Sequence, residues 1–363
     1  MFHKKNLSAI FTAVIFFSIT CNQVWSASRN ITSLKLDFLR TEEVIKDNQT
    51  TSMSGTIIYN KNPFVFIFIL KTPAEQTLYV NEENAFLIDG GLDSKKGITG
   101  TVYDVAQNKE FLMQTCEDFL NWFKPDYGLA DSNFKTAVRW TDENMVVTQW
   151  DSYNFEDQPL DKVLVWSDSQ GCFKKLKMYL SGNTLVTETN LLAFANSNGN
   201  AYPTIIESTS FEEDSPFIKM ELKLSKVSFV LSQEDNLIIE TLASEASKNC
   251  VEFPQVDNTK ELAVATPVIP QQASYKVSIP TVIAGASFSF YKKFITSQDM
   301  SNCPFYPSCS QFMLEAISTN GLFGFIQGLE RLKRCTSTEH KRGLYPTLSN
   351  GKHYDPVPPL KKK

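Results

Sequence analysis

Histidine is nearly absent from this chain, at 3 residues in 363. His3 sits at the extreme N-terminus, which leaves His340 and His353 for any chemistry. A nucleophilic cysteine or serine needs a base within hydrogen-bond reach, and histidine is the usual one. Phosphate-cradling loops are also missing. Gly90-Gly91 and Gly97–Gly100 fit no spacing that wraps a phosphate and read as hairpin turns. Glu212-Glu213-Asp214 reads as a solvated turn rather than a catalytic carboxylate pair. These absences argue against an enzyme and against a bound cofactor. No uninterrupted apolar run reaches the ~20 residues of a bilayer-crossing helix. Phe64–Leu70 has seven, and Ile279–Ile295 is interrupted by Lys292 and Lys293, so it reads as the start of an amphipathic or buried helix.

The chain has what a folded core needs. Hydrophobic residues make up 42% and aromatics 12%, with 27 Phe, which excludes wholesale disorder. The length suits two domains. The net charge of −5 looks bland but is unevenly spread. From Tyr275 to Lys363 there are twelve Lys/Arg against five Asp/Glu, a net +7, so the remainder carries −12. Opposite signs predict two modules with different partners.

The N-terminus reads as an export signal over residues 1–27. His3, Lys4 and Lys5 precede a thirteen-residue apolar run, Leu7–Ile19, and small residues follow at Ser26 and Ala27. An uncleaved anchor and a lipid-modified Cys21 are the alternatives. Cleavage near Ala27 leaves six cysteines, Cys116, Cys172, Cys250, Cys303, Cys309 and Cys335, an even number that permits disulfides in an oxidising compartment.

Residues 28–243 read as a large antiparallel sheet. Ile218, Met220, Leu222 and Leu224 alternate with Lys219, Glu221, Lys223 and Ser225, as a half-buried strand requires. Further strands are expected at Gly55–Asn60, Thr77–Val80, Ala85–Ile88, Val163–Ser167, Phe173–Leu180 and Thr184–Leu192. Lys109–Phe123 breaks the period: Leu112, Cys116, Phe119, Leu120 and Phe123 fall at helical spacing. The strand Phe64–Leu70 is apolar on both faces, so something apolar must cover each side. Two readings stay open: a helix on one side with core on the other, or one side lining a cavity for an apolar ligand.

The order of Gly55, the strand to Asn60, Pro63, the aromatic-rich strand, Pro73, Thr77–Val80 and Ala85–Asp89 resembles the periplasmic outer-membrane lipoprotein carriers (LolA-like). Gly199–Ile206 followed by Lys219–Val230 resembles the broader lipoprotein-sorting group. The resemblance implies an α+β fold, an open antiparallel half-barrel wrapped on helices, with a hydrophobic cavity for the acyl chains of lipoproteins. Phe66, Phe68, Leu70, Met220 and Leu222 are the candidate lipid-binding residues. Each acyl CH₂ removed from water is worth ~0.8 kcal/mol, so no polar chemistry is required.

Residues 244–274 lose the strand pattern and contain Pro254, Pro267 and Pro270, which predicts an extended linker. Residues 275–363 then carry spaced motifs. Cys303 and Cys309 bracket two prolines, helices are expected at Phe312–Ile317 and Leu322–Leu332, and Gly321, Gly324 and Gly328 recur near one helix face, allowing close approach. Cys303, Tyr306, Pro307, Cys309 and Ser310, then Arg331, Arg334 and Cys335, then Asp355-Pro-Val-Pro358 together resemble the membrane protein insertion efficiency factors (YidD-like). That implies a small, basic, helical, membrane-associated module that assists a membrane protein insertase.

Three chemistries stay open for the cysteines. A Cys303–Cys309 disulfide is one, with Cys335 as competing partner. A zinc site that adds His340 to the three thiolates is another, and a thiol-dependent enzyme is the third. Lys292, Lys293, Arg331, Lys333 and Arg334, with Lys341, Arg342 and Lys361–Lys363, are candidate contacts to anionic headgroups at ~1 kcal/mol each. Nucleic acid is not an expected partner of an exported chain. The expectation is a non-enzymatic periplasmic envelope protein associated with the inner membrane. An insertion helper facing the cytoplasm on an uncleaved N-terminus is the alternative topology.

Overall fold

The computed structural model describes residues 31–253, 303–336 and 345–357, apart from short interior stretches such as 46–48, 94–96 and 153–159. The export signal, most of the linker, Ile279–Ile295 with Lys292 and Lys293, His340 and Lys361–Lys363 lie outside the described residues.

One sheet dominates. Strands β1 (Ser33–Val44), β2 (Gln49–Asn60), β3 (Val65–Thr72), β4 (Gln76–Asn81), β5 (Ala85–Asp93) and β6 (Gly97–Asp104) form an antiparallel meander. Helix α1 (Lys109–Leu120) follows, continued by a 3₁₀ turn over Asn121–Phe123, which matches the helical spacing of the sequence. A second meander runs through β7 (Phe134–Asp142), β8 (Met145–Ser152), β9 (Leu160–Ser167), β10 (Phe173–Leu180), β11 (Thr184–Ser197), β12 (Asn200–Glu212) and β13 (Ser215–Ser228). Strand β13 pairs with β1, joining the meanders into one sheet that begins at β14 (Val251–Glu252) beside β6 and ends at β7. Its two edges do not meet, so the architecture is an open half-barrel.

Gly55 shows how tightly the layers pack. A Cβ there would lie 2.1 Å from the Ile69 carbonyl oxygen and 2.9 Å from the Phe38 ring. The Phe38 ring therefore lies over bare backbone and stacks on Phe68 at 5.2 Å between centroids.

Helix α2 (Gln233–Asn249) corrects the domain boundary expected at residue 243. Six of its residues, 244–249, fall in the range expected to be linker, and β14 beyond it pairs with the sheet. Inside and just beyond the 28–243 stretch expected to be sheet, Ile238, Ile239, Leu242 and Ala246 fall at helical spacing and pack against Ile58, Val65, Ile67 and Ile88. The cap was visible in the sequence: Ser232 Oγ accepts from the Asp235 N–H at 3.2 Å, and the Ser232 N–H donates to Asp235 Oδ2 at 2.8 Å.

Asp235 also pairs with Lys35 of β1, tying the helix to the sheet. Burial alone would raise the Asp235 carboxyl, but hydrogen bonds from Lys35 and Ser232 outweigh it and hold the carboxyl below its ordinary value. A depressed folded-state pKa stabilises above the unfolded pKa of ~3.9, and that stability is lost as pH falls through the folded value. Thermal unfolding from neutral to acid pH should therefore drop more steeply for the wild type than for Asp235→Asn. Equal slopes would mean that the carboxylate is not so held.

Candidate functional site

The inner face of the half-barrel carries Phe66, Phe68, Leu70 and Leu222, all buried, with Met220 partly buried at the margin. They share one apolar core with the C-terminal module. That module folds as a short strand β15 (Phe305–Tyr306), helix α3 (Cys309–Asn320), helix α4 (Leu322–Thr336) and strand β16 (His353–Tyr354), which pairs with β15. Ile317, Leu322, Phe325 and Leu329 of the two helices belong to the same core as Phe68 and Leu70. A cavity of about 10 Å³ is left at this seam, lined by Met53, Phe68, Leu70, Ile317, Gly321, Leu322 and Phe325. That is far below the ~300–1,000 Å³ of a typical small-molecule site, so the helix pair fills the inner face. The strand predicted to be covered on both faces is so covered: α3 and α4 take one side and α2 the other.

Polar contacts seat the helix pair. Gln76 of β4 is buried, and its Oε1 accepts from the Leu322 N–H at 2.8 Å, capping α4 from another part of the chain. Its Nε2 donates to the Asn320 carbonyl at 3.3 Å and to Asp89 Oδ1 at 3.2 Å. Gly321 alone joins the helices, at φ 61, a left-handed value that glycine accepts without strain. Farther along α4, Asn108 Nδ2 donates to Glu330 Oε1 at 3.0 Å and Lys333 Nζ donates to the Gln107 carbonyl at 2.8 Å.

One polar feature interrupts the inner face. Arg40 and Glu42 continue the alternation of Leu34, Leu36 and Phe38 along β1 and are buried. Arg40 Nη2 meets Glu42 Oε2 at 2.6 Å, while Arg40 Nε and Nη1 find no hydrogen-bond partner among the described residues. Burial pushes the Arg40 guanidinium down to about 10, against the opposing pull of Glu42.

The far end of the module holds its densest chemistry. Arg331 and Asp355 are both fully buried and form an ion pair. Arg331 Nη1 also donates to the Asp355 carbonyl at 2.8 Å, and Nη2 donates to the Pro307 carbonyl at 3.1 Å. The guanidinium lies over the Phe305 ring at 4.0 Å and the Phe312 ring at 4.8 Å. Arg334 Nη1 adds a second ion pair to Asp355 Oδ2 at 3.0 Å and reaches the Tyr345 hydroxyl at 2.8 Å. Beside them, Cys303, Cys309 and Cys335 bring their sulfurs within 4.8 Å of one another and stand as thiols. Cys303 and Cys309 Sγ are 3.6 Å apart. The Cys309 N–H also donates to Cys303 Sγ, at 3.4 Å. Side-chain hydrogen bonds with Cys309 and Cys335 hold the Cys303 thiol well below its ordinary value, while contacts with Cys303 and Cys335, together with burial, push Cys309 up.

Residues 281–347 match YidD, described as "Putative membrane protein insertion efficiency factor". A curated relative of that description from Azotobacter vinelandii is 41% identical over 80 residues, which cover 22% of this chain and 85% of the relative. The chain belongs to the YidD family. A second relative, from Staphylococcus aureus, is 37% identical over 79 residues, covering 22% of this chain and 80% of the relative. Among solved structures, a LolA superfamily protein from Nitrosomonas europaea aligns with 59% of this chain and 95% of its own, at a TM-score of 0.37 and 13% identity.

Within the YidD module, the motif residues divide by role. Tyr306 and Pro307 supply carbonyls, to the Asp355 N–H and to Arg331. Ser310 lies in the first turn of α3. Arg331, expected to touch a membrane, has no exposed surface, and this corrects the reading: its charge is spent on Asp355 inside the module. Arg334 is mostly buried against the same carboxylate, while Lys333 is exposed. Gln76, Asn108 and the Arg40–Glu42 pair were not anticipated. The helix-pair partners of Gln76 lie 244 and 246 residues away and that of Asn108 lies 222 away, so no local pattern marks those contacts. Among the described residues, no helix is long and apolar enough to cross a membrane.

Proposed function

We propose that this protein is a non-enzymatic envelope protein of membrane-protein and lipoprotein biogenesis, in which the half-barrel takes acyl chains on the face where the YidD helices sit. The observation that carries the reading is the apolar inner face of Phe66, Phe68, Leu70 and Leu222, which is covered by a separate module of the same chain rather than by the sheet itself. Acyl chains and the helix pair then compete for one surface. Arg40 supports the reading: beyond its ion pair with Glu42 it keeps two buried donors that find no partner among the described residues, available to a polar headgroup. The YidD module is the part that works at the membrane, alongside an insertase. Exposed Lys333, together with the cations outside the described residues, supplies attraction to anionic lipid. Export to the periplasm and association with the inner membrane complete the proposal. A thiol-dependent enzyme is disfavoured because Cys303 and Cys309 are 3% and 1% exposed, out of a substrate's reach.

Gln76→Ala in the full-length chain tests the competition. It strands the buried Leu322 N–H, costing ~1–3 kcal/mol of helix seating. Lipid mass spectrometry on protein purified from its own envelope should find more co-purified acyl species on the variant than on the wild type. A folded variant that carries none, like the wild type, would sink the carrier reading.

A further inference from the structure

The three cysteines of the YidD module come from separate places: Cys303 precedes β15, Cys309 opens α3, and Cys335 lies in the last turn of α4. We propose that Cys303, Cys309 and Cys335 form a binding site for one zinc ion, which staples both open ends of the helix pair. Thiolate–zinc bonds of ~2.3 Å place the sulfurs of a tetrahedral site about 3.8 Å apart. Here one pair is at 3.6 Å and all three lie within 4.8 Å, so small side-chain adjustments suffice. Two of the three are deeply buried, and Cys335 is part exposed.

Donor type and charge select the ion. Three soft sulfur ligands favour zinc or copper(I) over hard cations. Among the described residues, Arg331 and Arg334 share the one carboxylate of Asp355, which leaves one net positive charge in this ion-pair group beside the cluster. Zinc(II) held by three thiolates carries −1 and cancels it. Copper(I) in the same cage would carry −2 and leave an excess buried negative charge, which is costly. Binding is a Lewis acid–base step. Zinc–sulfur bonds replace sulfur–hydrogen bonds, the protons leave to solvent, and no electron moves. A disulfide between any two of the sulfurs would leave the third unpaired, whereas one ion engages all three.

The test uses the full-length protein, reduced, loaded with zinc chloride and exhaustively dialysed. Elemental analysis should find one zinc per chain. Cys309→Ser and Cys335→Ser should each lower this to background, while Cys116→Ser leaves it unchanged. Alkylation mass mapping of the wild type guards against misfolded variants: zinc should protect Cys303, Cys309 and Cys335 together, and a chelator should expose them. Wild-type protein with reduced thiols that retains no zinc would overturn the proposal. So would stoichiometric zinc on Cys335→Ser, or a Cys303–Cys309 disulfide in protein from its own envelope that excludes the metal.

Discussion

Asp355→Ala is expected to destabilise the protein by ~3–5 kcal/mol, the range for removing one partner of a buried ion pair. Asp355 is the counter-charge for two guanidinium groups, and Arg331 has no exposed surface from which to recruit water. What remains for Arg331 after the substitution is the Pro307 carbonyl, the residue 355 carbonyl and two aromatic faces, none of which carries a full negative charge. Asp355→Asn keeps the shape and an acceptor oxygen and should fall between the alanine variant and the wild type. Arg331→Met combined with Asp355→Ala should recover part of the loss, because it removes the stranded charge along with its partner. Denaturant unfolding followed by circular dichroism measures all three. A single alanine variant within about 1 kcal/mol of the wild type would show that the pair is solvated rather than buried.

The second large effect is a contrast between two glycines of α4. A Cβ on Gly324 would lie 1.8 Å from the Ala316 carbonyl oxygen and 2.7 Å from the Ile317 nitrogen, both backbone atoms of α3. Backbone cannot step aside, so Gly324→Val must push the helices apart and unseat Phe325 from the inner face. The cost should reach the upper end of the ~1–3 kcal/mol seen for overpacking, or exceed it. At Gly328 the obstruction is the Met313 side chain, with Sδ at 2.0 Å. Methionine has rotatable bonds and repacks readily, so Gly328→Ala should cost about 1 kcal/mol. Thermal midpoints of the two variants check the ranking, and a Gly328 variant as damaging as the Gly324 one would refute it. Since α3, α4 and the sheet share one core, each variant should still unfold in a single transition.

Much of this was legible beforehand. The alternation around Met220 and Leu222 marked a half-buried strand, the spacing of Leu112, Cys116 and Phe119 marked α1, and the spaced cysteine, arginine and Asp-Pro motifs marked the YidD module. Each signal is local, or is a fixed string that matches a family. The Ser232–Asp235 capping box was equally local but was masked by the preceding run of period-two sequence. Arg331 was misplaced for a different reason. A basic residue near the end of an amphipathic helix has the same local sequence whether it faces lipid or turns inward, and the partner that decides lies 24 residues away.

Local order and composition established the two modules, their opposite charges and the apolar character of both faces of β3. Those properties depend on residue type and on spacing within a few turns or strands. Which surface covers the inner face, and that Gln76 caps a helix 246 residues later, came from the fold alone. Burial and hydrogen-bond satisfaction are long-range conditions: a strand rich in Phe demands a cover, but the chain has several apolar helices to offer. Only three-dimensional packing selects the one whose glycines let it approach and whose amide Gln76 can reach.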